Sequence, residues 1–245
     1  MVNRFLPRPG PSSSLVIRQD QVHIWLVHTR GESISPGDFK DLLSSVEQDR
    51  ASKFKFETDR RRYTTAHAAL RSILSIYVNS PARELQFISG PYGKPKLAAI
   101  HDKKKIEFNL SHSHEVALIA VTQGREVGVD VERVREDFAF DEVAQRFFTT
   151  REVAALHDLP LHLQREAFYK CWTSKEAFLK AKGTGLSGQL DEVEIVLIDN
   201  VVRVQGTIPN LSLIELTVDG GYVAALVVDG VKPRLAYYAW ESRSK

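Results

Sequence analysis

Two carboxylates stand two residues apart in the run VGVDVE, residues 127–132, whose other positions follow the pattern of a buried strand. In a strand, successive side chains leave on opposite faces. Val127, Val129 and Val131 therefore share one face, and Gly128, Asp130 and Glu132 share the other. Two acids side by side in apolar surroundings repel each other and are costly to bury, so they need a neutralising partner. A hard cation such as Mg²⁺ meets that need, because it takes carboxylate oxygens and usually substrate phosphates as well. A strand face open to water meets it equally. The fragment alone leaves both open.

A second group lies in WTSKEAFLKAKGTG, residues 172–185. Glu176 and Lys180 are four apart and share a helical face, with Trp172 one turn earlier and Lys175 and Lys182 nearby. Such a pair is either an ordinary surface ion pair worth about 0.3 kcal/mol or part of a working site. A third group, FNLSHSH at 108–114, puts His112 and His114 on one strand face. No third His or Cys follows at a suitable spacing, which argues against zinc. His112 beside Ser111 could instead donate to a phosphate, while His114 has the character of a structural histidine. The basic stretch Arg50, Lys53, Lys55 and Arg60 to Arg62 resembles a solvated helix face, and its three consecutive arginines cannot all point one way. Lys94, in the tight turn YGKP, is held more rigidly and is the better single anion-binding candidate. Lys103 to Lys105 fit a solvated loop. Cys171 lacks a local acid–base partner and fits a packing role.

The elements that must carry these groups alternate between the two periods. Residues 21–28, QVHIWLVH, are β-rich and alternating, which predicts a strand. Ser35, Pro36 and Gly37 open a helical pattern through Phe39, Leu42, Leu43 and Val46. A longer helix is expected over about 59–77, with Tyr63, Ala66, Leu70, Ile73 and Leu74 on its apolar side. Residues 89–97 form a turn or hairpin. Short strands at 106–110 and 115–121 flank NLSHSH. Helices are expected at 140–148, 150–157 and 164–182, the last capped by Gly183. Strands follow at 193–198, 201–204, 212–218, 222–228 and 235–240, with Gly220-Gly221 in a hairpin turn. Phe140, Phe147, Phe148 and Leu156 fit core positions. Both halves run from helices into antiparallel strands, so the pattern predicts an α+β protein of two packed units, 1–122 and 123–245.

Composition narrows the function classes. The chain has 245 residues, 43% hydrophobic and 26% charged, which is ordinary for a globular protein with a sizeable core. A net charge of +2 and the lack of interleaved aromatic platforms argue against nucleic acid as a partner. The single cysteine excludes an internal disulfide. No run approaches the length of a membrane helix, and the Pro- and Ser-rich opening, MVNRFLPRPGPSSSL, fits an extended lead-in and not a signal peptide. A cytoplasmic protein is expected.

YGKPKL, FNLSHS, GVDVE and FYKCWTSKEAFLKAKGTGL, in that order, resemble the 4′-phosphopantetheinyl transferases, closest to the longer, monomeric, surfactin-synthetase-activating type. The likeness spans about residues 50–186. It implies two similar α/β halves related by a pseudo-twofold, each with a long helix on a mainly antiparallel sheet, and an active site in the cleft between them. It implies transfer of 4′-phosphopantetheine from coenzyme A to a serine hydroxyl of an apo acyl- or peptidyl-carrier protein, releasing 3′,5′-ADP. Asp130, Glu132 and Glu176 would hold Mg²⁺, with Mn²⁺ as a substitute. Glu176, Lys180 and His112 would be catalytic. Coenzyme A would be held by Arg50, Lys53, Arg62, Lys94, Ser111, His112, Lys175 and Lys180. The alternative is a catalytically silent coenzyme A- or nucleotide-binding protein, which the presence of all three acids and Lys180 disfavours.

Overall fold

The computed structural model describes residues 8–9, 15–30, 36–101, 103–184, 196–198, 201–205, 210–218 and 220–241. The expected strand start at Val193, and Gly185 and Leu186 of the helix motif, lie outside the described residues. In the first half, β1 (Arg8–Pro9) and β2 (Gln21–His28) precede a 3₁₀ segment, Pro36–Leu42. Then come α1 (Ser45–Ser52), α2 (Glu57–Val78), β3 (Phe87–Ser89), β4 (Pro95–Leu97), β5 (Ile106–Ser113) and β6 (Val116–Gln123). The second half holds β7 (Val127–Arg133), α3 (Phe140–Phe147), α4 (Thr150–His157) and α5 (Leu161–Lys182). Five strands follow: β8 (Val196–Ile198), β9 (Val201–Gln205), β10 (Leu211–Val218), β11 (Tyr222–Asp229) and β12 (Arg234–Trp240).

The chain is α+β, and most strand pairs are antiparallel. A five-stranded sheet, β1-β12-β2-β6-β5, and a three-stranded sheet, β10-β11-β7, place their apolar faces against each other. The alternation in VGVDVE sets this up. Val127, Val129 and Val131 enter the shared core with Val22, Ile24 and Leu118 from one sheet and Ile214 and Leu226 from the other. The outer face of each sheet carries one helix of 22 residues. On the first sheet, α2 lays Ala66, Leu70, Ile73, Leu74 and Tyr77 over Trp25, Phe108 and Ile119. On the second, α5 packs Ala167, Phe168, Phe178 and Ala181 with Ala225 and Val227, joined by Phe140, Phe148 and Leu156 from the α3–α4 region.

Three elements depart from expectation. The helical pattern before Val46 splits into a 3₁₀ segment and α1, because Ser44 and Glu47 form a capping box that starts a new helix there. FNLSHS is strand throughout, and His114, at φ 51°, leaves it in the turn to β6, so His112 and His114 do not share a strand face. Finally, β12 returns to the first sheet and pairs parallel with β2, so the second unit, expected as 123–245, gives its last strand to the first.

Candidate functional site

The site is built where β5, β7 and α5 meet. Here β7 is the edge of its sheet. Its N–H groups at Val129, Val131 and Arg133 are met by side chains of β5: Asn109 Oδ1 at 2.9 Å, Ser111 Oγ at 3.4 Å and Ser113 Oγ at 3.1 Å. The alternating polar positions of FNLSHS thus substitute for a neighbouring strand's carbonyls and seal one sheet edge to the other. The same serines also fix the acids. Ser111 donates to Asp130 Oδ1 at 2.8 Å, and Ser113 donates to Glu132 Oε2 at 2.8 Å.

The opposite wall is α5, and Gly128 sets its distance. A Cβ at Gly128 would lie 2.0 Å from the Ala177 carbonyl oxygen and 2.3 Å from the Ala181 nitrogen. Glycine on the strand and alanine on the helix therefore let the two backbones touch. Trp172, Glu176 and Lys180, at successive helical turns, then face the strand acids. These three line a cleft of about 340 Å³ together with Leu110, Ser111, His112, Asp130 and Glu132. Lys180 Nζ donates to Asp130 Oδ1 at 2.6 Å and to Ser111 Oγ at 3.0 Å.

The electrostatics match the geometry. Burial first, then the Asp130 charge, raise the Glu132 pKa to about 7, and Lys180 and the Ser113 hydroxyl only partly offset this. Burial and Asp130 likewise raise the Glu176 pKa. In the metal-free protein, the folded state therefore holds a proton on Glu132 where the unfolded chain has lost it, between pH 4.5 and about 7. Stability falls as pH rises through that window. Glu132→Gln is expected to melt above the wild type at pH 8 in EDTA, with the difference shrinking at pH 5. Equal melting curves at both pH values would show that Glu132 carries no such penalty.

At the rim, His112 is exposed on one side. Partial loss of water, then the charges of His67, Lys180, Arg62 and Arg50, lower its pKa. The charges of Arg50 and Arg62 thus reach His112, while Arg62 pairs with Asp59 at 3.1 Å and Arg50 lies over the Tyr63 ring. His67 had no sequence signal beyond its place on α2, where it lies against Tyr63 with ring centroids 4.1 Å apart.

Of the expected coenzyme A contacts, Lys94 and Lys175 are committed to buried partners, and Lys53 pairs with Asp49 on the surface. The buried Lys94 Nζ is spent on Glu126 Oε2 at 2.7 Å, Val127 O at 3.1 Å and Ala181 O at 3.0 Å. It ties the β3–β4 hairpin to β7 and to the end of α5. Lys94→Ala should cost about 2 kcal/mol of stability and leave coenzyme A affinity within about twofold, read by calorimetry. A large loss of affinity at unchanged stability would restore it to the site. Lys175 is fully buried against Glu152, at 2.9 Å, and that acid also caps α4 through the Thr149 backbone N–H. Lys53 lies exposed beside Asp49, at 2.7 Å.

The donor set suits a hard cation. It offers oxygen ligands from three acids on one cleft, and Asp130 Oδ2 is buried with no hydrogen-bond partner. Among the described residues no three acids, histidines or cysteines are gathered closely enough to form a ready-made metal cluster. Mg²⁺ does not require one, since one or two carboxylates plus substrate phosphates commonly hold it.

Comparison with known proteins gives matches along most of the chain. Residues 126–227 match the model of the 4′-phosphopantetheinyl transferase superfamily, and residues 37–124 match that of a 4′-phosphopantetheinyl transferase N-terminal region. The chain is 36% identical over 236 residues to the 4′-phosphopantetheinyl transferase HetI of Nostoc sp., covering 96% of this chain and 98% of that protein. A putative 4′-phosphopantetheinyl transferase of Synechocystis sp. is 37% identical, covering 71% of this chain and 69% of that one. The 4′-phosphopantetheinyl transferase Sfp of Bacillus subtilis is 29% identical, with 65% and 68% covered.

Proposed function

Because the chain belongs to the 4′-phosphopantetheinyl transferase superfamily, we propose that it moves 4′-phosphopantetheine from coenzyme A to a serine hydroxyl of an apo acyl- or peptidyl-carrier protein, with Mg²⁺ as cofactor. The observation that carries this reading is the convergence of Asp130, Glu132, Glu176 and Lys180 on one cleft with His112, a histidine reached by the positive charges of Arg62 and Arg50. Carboxylates for a metal lie next to positive groups for phosphates, which is the charge layout a metal–diphosphate substrate requires.

In this reading Asp130 and Glu132 hold the cation, which when bound neutralises the coenzyme A diphosphate. The rim takes the 3′-phosphate end. The carrier serine oxygen forms a bond to the β-phosphorus as the bond from that phosphorus to the leaving 3′,5′-ADP breaks. Glu176 takes the serine proton. Its pKa is raised by burial and by Asp130, which favours proton uptake, and a carboxylate free of the cation is a better base than one ligating it. Lys180 neutralises charge on the diphosphate. Positioning and electrostatics supply most of the rate in such transfers. With both halves in one chain, a monomer acting in the cytoplasm suffices. Among the described residues no helix is long and apolar enough to cross a membrane.

The test is intact-protein mass spectrometry of an apo acyl-carrier protein and an apo peptidyl-carrier domain, each incubated with this protein, coenzyme A and Mg²⁺. One added phosphopantetheine, lost with EDTA, is the expected result. Coenzyme A binding without transfer to either carrier would favour the silent binder.

A further inference from the structure

Asp130 already has a cation. Its side chain is 3% exposed, and Lys180 Nζ sits 2.6 Å from Oδ1. A buried carboxylate needs such a partner. Yet a divalent ion at Asp130 and an ammonium on the same carboxylate repel each other at close range. Lys180 is 28% exposed at its side chain and carries its charge on a flexible four-carbon stem. It stands between the two walls of the cleft, bonded to the acid and to Ser111, with its charge also reaching His112 at the rim. The anion that would draw it off Asp130 is the substrate's own phosphate.

We infer that Lys180 is a built-in competitor for the divalent cation, occupying Asp130 until coenzyme A phosphates give the ammonium another partner, so that cation and coenzyme A enter as a coupled pair. This rests on the transferase reading above and adds an order to it. Without coenzyme A the site binds the metal weakly. With coenzyme A, Lys180 turns to the phosphates and its charge leaves Asp130, whose Oδ2 is unpartnered and whose Oδ1 keeps the Ser111 bond. The coupling is reciprocal, since whatever coenzyme A does for the metal, the metal does for coenzyme A.

The experiment measures Mn²⁺ binding by electron paramagnetic resonance of the free ion and coenzyme A binding by calorimetry in EDTA. Each is run with wild type, K180M, K180Q and K180R, with circular dichroism to select folded variants, and D130N serves as the control. Removing the charge should tighten Mn²⁺ binding in the absence of coenzyme A by about tenfold, within the usual range of coupling between sites. The same substitution should weaken coenzyme A binding, and K180R should bind Mn²⁺ as weakly as the wild type. If K180M or K180Q is folded but binds Mn²⁺ no better than the wild type, or if K180R binds it as tightly as K180M, the inference is wrong and Lys180 serves the phosphates alone. Should Mn²⁺ binding be the same in D130N with coenzyme A present, the metal-site reading itself falls, and the inference with it.

Discussion

Replacing Asp130 by Asn is expected to lower the rate of phosphopantetheine transfer by about 10³-fold while the protein stays folded. The amide keeps the volume of the acid and can still accept from Ser111. Lys180, partly exposed, can rehydrate, so the fold does not depend on their ion pair. What disappears is the negative charge on the best-buried acid of the cleft, where the proposed cation would gain most from a low dielectric. Initial rates of carrier modification, with near-ultraviolet circular dichroism as the folding control, measure this. A folded Asp130→Asn protein working within about tenfold of wild type would remove Asp130 from the chemistry.

The second large effect is steric. Gly128→Ala should cost about 3 kcal/mol of stability, a fall of roughly 10 °C in melting temperature for a chain of this size. The added methyl meets the backbone of α5 at Ala177, Lys180 and Ala181 rather than the end of a movable side chain. The helix has to lift from β7. Glu176 and Lys180 flank the contact, so whatever folds should also transfer slowly. A drop of less than about 2 °C would show that α5 and β7 separate at little cost, and the close approach would lose its significance.

Much of this site was legible because period-two and period-3.6 patterns report faces directly. The alternation at 127–132 separated the valine face from the acid face, and the spacing of Trp172, Glu176 and Lys180 put them on one side of α5. The same rule explains the error at Lys175. One residue before Glu176, it is rotated about 100° away, and it enters the core against Glu152. Lys94 misled for a different reason. Its turn is as tight as the sequence promised, with Gly93 at φ 85°, but local sequence does not say against what a turn is delivered. Asn109, Ser111 and Ser113 were visible as alternating polar residues. Their task as surrogate strand partners depends on β7 lying alongside, and that is a tertiary fact. Strand order is equally silent in local pattern, which is why the parallel place of β12 was missed.

That strand has a consequence for how the protein forms. Gln21 pairs with Arg234, so β2 meets a partner about 200 residues later in the sequence. Contacts of such separation close slowly, since a long loop must be ordered before the pairing rewards it. While the chain is being made, β2 can pair only with β6 and leaves an apolar edge, including Val22, Ile24 and Leu26, without its neighbour. Such an edge invites pairing with another chain. The N-terminal half released alone would therefore be a fragment prone to self-association, and the first sheet is completed by one late event, the seating of β12.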